Sequence, residues 1–181
     1  MTKARDLANA GTALTTVSAT ELGYLDGVTS AVQIQINNRV PGQDGTLLNP
    51  ILVSPEERIT ASATSATGTI NFDTMSVTAR YYTSDATGDW TLNVRGNATN
   101  TLNNRLNTGD AITISFLVTN GATAYKHSAL TIDGSAQTVK WSGGTAPSAG
   151  NASSIDAYSF TIIKTAANTY TVLGAGPIKY A

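Results

Sequence analysis

The residues best suited to chemistry cluster around one side chain. His127 is the only histidine in the 181 residues, with Ser128 beside it and Asp133 shortly after. A serine, a histidine and an acid can cleave an acyl bond when the imidazole takes the hydroxyl proton and the carboxylate orients the ring. The surrounding pattern argues against it. Leu130 and Ile132 set the inward phase of a strand, which predicts that His127 points outward with Tyr125. No serine sits in a Gly-x-Ser-x-Gly elbow. Catalysis is not expected, and the chain reads as non-enzymatic.

Carboxylates come next. Asp85 and Asp89 share one turn and, with backbone carbonyls, could hold Ca²⁺; Glu56 and Glu57 are adjacent and could act similarly. A calcium loop needs more ligands at fixed offsets, so Asp85 and Asp89 read as turn caps. Glycoside cleavage needs two carboxylates facing each other across a cleft, which nothing in the spacing suggests. No metal and no cofactor are expected. Among the aromatics, Trp90 and Trp141 follow the inward phase of their strands and read as core. Tyr81 and Tyr82 are neighbours, so one of them faces out of a sheet. A tyrosine beside Asn and Thr could stack on a sugar ring, which makes this pair the candidate ligand-binding residues; the plain alternative is a surface or subunit-contact tyrosine. Asn97-Ala98-Thr99 and Asn151-Ala152-Ser153 match the glycosylation pattern but read as turn residues.

Composition narrows the partners. Charged residues make up 13% of the chain and the net charge is −1, so no basic stripe exists to neutralise phosphates, and nucleic-acid binding is not expected. Cysteine is absent, which excludes disulfides and thiolate metal sites and fits assembly in a reducing cytoplasm. The segment Met1-Thr2-Lys3-Ala4-Arg5-Asp6-Leu7 lacks a signal-peptide apolar run, and no stretch is long and apolar enough for a bilayer helix. The expectation is a soluble protein made inside a cell, without membrane insertion.

The elements that would position these residues fall into four segments. Residues 1–17 show little periodicity and read as an anchoring segment that orders against a partner. Residues 18–38 read as helical. Ser18 and Glu21 form a capping box, and Leu22, Leu25, Thr29, Val32 and Ile36 recur at alternating spacings of three and four. That stripe is a short coiled-coil seam or the inner face of a helix packed on the chain's own β domain; Asp26-Gly27 breaks it. Residues 39–58, opening on Val40-Pro41-Gly42, read as a linker. Residues 59–181 turn to period two: Trp90, Leu92 and Val94; Ile112 to Val118; Val139 and Trp141; Tyr158, Phe160 and Ile162; Tyr170 and Val172. Turn signals separate these runs, and Asn100 to Leu106 has room for one helical turn. The expected fold is mainly β, an antiparallel, jelly-roll-like sandwich preceded by a short helical neck.

Six segments carry a family resemblance. Glu21-Leu22-Gly23-Tyr24-Leu25-Asp26-Gly27-Val28-Thr29-Ser30-Ala31-Val32-Gln33 is similar to a neck motif of tailed-phage virion proteins, including tail-fibre-like proteins of marine and cyanobacterial phages. The opening Lys3-Ala4-Arg5-Asp6-Leu7-Ala8 resembles their start. Phe116 to Thr123, Ile132 to Ser135, Lys140 to Pro147 and Gly150 to Asp156 resemble a β domain of such virions. The resemblance implies a homotrimer gathered by Leu22, Leu25, Val32 and Ile36 and attached to other virion proteins through the N-terminal segment. It implies a place on the tail, neck or capsid surface, as a short fibre, a capsid decoration or head fibre, or a receptor module for host-surface glycan.

Overall fold

The structure, a computed structural model, describes residues 56–181 and, ahead of them, Thr20 alone. The anchoring segment, the Ser18–Glu21 capping box, the neck stripe of Leu22, Leu25, Val32 and Ile36, and the linker up to residue 55 lie outside the described residues.

From Ile59 the chain is mainly β. Ten strands form two sheets: β1 (Ile59–Ser65), β2 (Gly68–Asp73), β3 (Ala79–Ser84), β4 (Trp90–Arg95), β5 (Ala111–Asn120), β6 (His127–Ile132), β7 (Ser135–Gln137), β8 (Val139–Trp141), β9 (Ser154–Ala166) and β10 (Thr169–Tyr180). The first sheet has the order β1-β3-β5-β9-β10-β8, the second β2-β4-β6-β7. The first six strands alternate between the sheets, and each from β3 to β6 pairs in parallel with the strand two before it. The chain therefore winds as a two-sided coil. Parallel neighbours need a crossover connection, and here a strand of the opposite sheet supplies it. The remainder is antiparallel, β9 against β5 and β10 and β7 against β6, apart from β8, which runs parallel to β10.

The expected antiparallel, jelly-roll-like pairing is thus corrected to two mixed sheets. Alternation has a period of two in either pairing direction, so it reveals which face a residue occupies and not which way its neighbour runs. On β4, β5 and β9 the expected faces hold. Trp90, Leu92 and Val94 on β4, Ile114, Phe116 and Val118 on β5, and Phe160 and Ile162 on β9 are wholly buried. Rings meet across the core: Trp90 lies 6.0 Å from Phe116 and 5.9 Å, edge-on, from Tyr158.

Two connections carry polar side chains into fixed places. Asp133-Gly134 joins β6 to β7 with both residues at positive φ (49° and 82°), the two-residue hairpin that an Asp-Gly pair favours. Between β4 and β5 lies a single helical turn, α1 (Leu102–Arg105), with Thr101 as its N-cap. The Asp133 carboxylate accepts from the Leu102 and Asn103 amides at 2.8 and 3.1 Å. At the other end of α1 Lys164 donates to the carbonyls of Asn103 and Leu106 at 2.6 and 2.8 Å.

Candidate functional site

His127 opens β6 and is 4% exposed, so the outward orientation expected for it is corrected. The cause is a bulge. Trp90 pairs with His127 but Thr91 pairs with Ala129, leaving Ser128 extra and shifting the phase by one residue. The imidazole sits among Phe160 (5.0 Å between centroids), Trp141 (5.6 Å) and Tyr158 (6.1 Å). Burial first, and then the neighbouring Lys126 charge, lower its pKa to about 4, against a weaker pull upward from a hydrogen bond with the Ala129 backbone. Near neutral pH the ring is uncharged. Ser128 and Asp133 are engaged elsewhere: the Ser128 hydroxyl donates to the Trp90 carbonyl at 2.8 Å, and Asp133 caps α1. His127 works as a core aromatic that cannot easily accept a proton.

That burial has a consequence with a definite sign. The unfolded chain's histidine titrates near 6.5, so between roughly pH 6.5 and 4 the unfolded state takes up a proton that the folded state refuses. Stability is present above this window and is lost as the pH falls through it. Urea unfolding at pH 7 and pH 4.5 should show the native protein losing about 2 kcal/mol more than His127→Leu over the same interval.

The remaining candidate side chains are scattered over the two sheets and their loops. Tyr82 is buried against Phe116, 5.6 Å between centroids. Tyr81 is half-exposed on the opposite face of β3, where its hydroxyl accepts from Thr119 Oγ1 at 3.3 Å. The two tyrosines therefore do not share a surface. Asp89 Oδ1 accepts from the Lys126 amide at 3.0 Å, tying the β3–β4 and β5–β6 connections together, and Asp85 lies against Gly121. Glu56 and Glu57 are exposed ahead of β1. Among the described residues no group of three or more His, Asp or Glu side chains is placed to hold a metal ion. Asn97 Oδ1 accepts from the Thr99 and Asn100 amides at 2.8 and 2.7 Å, the local bonding of a turn asparagine.

The densest polar cluster is built from none of the candidate catalytic or metal-binding side chains. Asp156 on β9 is wholly buried. Its Oδ2 accepts from Asn120 Nδ2 at 3.1 Å and from the Asn151 amide at 2.9 Å, and its Oδ1 from Asn151 Nδ2 at 2.7 Å. Asn120 also exchanges hydrogen bonds with the Tyr125 backbone in both directions at 3.1 Å. Gly150 fits between Tyr125, Asp156 and Asn120, where an added Cβ would collide with the Tyr125 carbonyl. A signal for this cluster does exist in the sequence. Continuing the Tyr158-Phe160-Ile162 alternation backwards puts Asp156 inside, and continuing it forwards puts Lys164 inside. An inward acid and an inward lysine on one strand mark two places where the interior must supply partners.

Concavities open on the surface of the described residues, three of them notable. One of about 300 Å³ lies at the end of β4 between Arg95, Asn97, Asn100 and Asp133. One of about 200 Å³ lies beside Trp141 between Lys126, Gln137 and Pro147. The largest of the three, about 370 Å³, lies on the first sheet between Lys140, Ser159 and Leu173. No family model, curated protein or solved structure matches the chain.

Proposed function

We propose that the chain is a non-enzymatic structural protein of a tailed-phage virion, a short tail fibre or fibre-like appendage. Residues 1–17 anchor it to other virion proteins. Residues 18–38 gather three chains through Leu22, Leu25, Val32 and Ile36, and residues 59–181 form the head. It is assembled in the host cytoplasm and contributes to host attachment. Its mechanism is mechanical: trimerisation buries apolar surface that one short helix cannot bury alone, and it makes any weak distal site multivalent.

The observation that carries this reading joins sequence to structure. Two of the blocks that bear the resemblance, Phe116 to Thr123 and Gly150 to Asp156, meet in the hydrogen-bond network around Asp156. The motif residues of the head thus hold its loops in place, which suits a rigid appendage. A capsid decoration would use the same construction at another address. A receptor module for host glycan takes support from the concavity beside Trp141, where an aromatic ring, Lys126 and Gln137 lie together.

Immunogold labelling of purified virions with an antibody against the head tests the proposal. Label on the tail or neck is expected. Label over the shell moves the protein to capsid decoration, and unlabelled virions overturn the reading.

A further inference from the structure

The two outer faces of the sandwich are unlike each other. On the second sheet the outward side chains are polar and bonded among themselves: Asn93 Nδ2 donates to Asn71, Thr131 donates to Asn93 (both 2.8 Å), and Arg95 pairs with Asp73 at 2.6 Å. That face is finished for water. On the first sheet the pairing register lines up Ala61, Tyr81, Leu117, Ala157 and Ile178 as one row across five strands. The rows on either side carry Ile59, Ile155 and Tyr180 among Ala, Ser and Thr, and the next row carries Leu173. Among the outward strand residues described, the charged one is Lys140, on the edge strand β8.

Three features say what covers it. The five strands β1, β3, β5, β9 and β10, at about 4.8 Å spacing and about 20 Å of length, give a footprint of about 500 Å² before corrugation, more than half of the ~800 Å² that each partner contributes to a standard interface. A face almost without charge requires no oppositely charged partner, so a different, equally uncharged surface of an identical chain suits it in a three-fold ring. Knob and hollow lie on the same molecule: Leu173, Ile178 and Tyr180 on β10 are 43%, 53% and 55% exposed, and the 370 Å³ concavity lies beside Leu173 and Ser159. We infer that the outer face of the six-stranded sheet packs against a second copy of this chain, so that the heads as well as the necks hold the oligomer together. The inference rests on the oligomer proposed above.

The chain has no cysteine, so one introduced thiol reports one site. In the full chain at micromolar concentration, Ser159→Cys should react with a maleimide at least tenfold more slowly than Thr91→Cys, an equally half-buried position on the opposite face. Leu117→Asp should weaken association at least a hundredfold by light scattering and, combined with Ser159→Cys, restore fast labelling. Equal labelling rates in an oligomer overturn the inference and leave the virion reading standing, with the neck alone joining the chains. A protected thiol in a monomer also overturns it, because residues 1–55 of the same chain would then be the cover. A monomer with equal rates overturns both the inference and the trimer, and virion labelling remains the separate test of location.

Discussion

Trp90→Ala should cost about 4 kcal/mol, a large part of the roughly 5–15 kcal/mol that holds an ordinary domain together. Trp90 is wholly buried on the second sheet, and its indole touches Phe116 and Tyr158 of the first, one tilted at 38° and the other edge-on at 89°. It is therefore a direct link between the sheets, and truncation leaves a cavity that two fixed backbones cannot close. Its backbone is a junction as well: the Trp90 amide donates to the Lys126 carbonyl at 3.2 Å and its carbonyl accepts from Ser128. Those bonds survive the substitution, so the loss does not include them; it is the lost ring packing offset by removal of an indole N–H that is buried without a partner. Trp90→Phe keeps a ring and should lose less than half as much. In urea the alanine variant's midpoint should fall by about 2 M with an unchanged slope. A loss under about 1 kcal/mol would show that the sheets are held apart from this contact.

Much of the β domain is legible because burial writes itself as alternation. The inward residues of β4, β5 and β9 follow directly from period two, and Leu102 and Leu106 mark the helical turn. Direction of pairing was hidden for a physical reason. Turn-forming residues such as Asp85 to Asp89 look the same whether the chain doubles back in one sheet or crosses to the other. Two connections, Asp133-Gly134 and Ala167-Asn168, are two-residue hairpin turns, and both indeed join antiparallel neighbours. His127 was misplaced by a single residue, because a bulge breaks the phase without leaving a mark in composition. The outer face of the first sheet could not be found from any one strand. Ala61, Tyr81, Leu117, Ala157 and Ile178 are scattered along the chain and become a row only when the register is known.

Asp156→Ala should be as damaging as the loss of Trp90, by a different route. The carboxylate gathers three donors from Asn120 and Asn151, and all the groups involved are buried or half-buried. Removing it leaves those donors unsatisfied where water does not freely replace the lost acceptor, at about 1–3 kcal/mol each before relaxation, so a net loss of about 3–5 kcal/mol is expected. Asp156→Asn keeps the shape but offers one amide oxygen where two carboxylate oxygens accepted, and its NH₂ faces a donor whichever way it is turned. It should lose about 2 kcal/mol. Gly150→Ala attacks the same network from outside by pushing on the Tyr125 carbonyl, whose partner is Asn120. If Asp156, Asn120 and Gly150 act as one unit, the double variant Asp156→Asn with Gly150→Ala should lose at least about 1 kcal/mol less than the two single losses added together. Strict additivity would mean that the β5–β6 and β8–β9 loops are fixed independently. A coupled result would make this network the element that sets both loops at once, at the end of the sandwich where the motif residues converge.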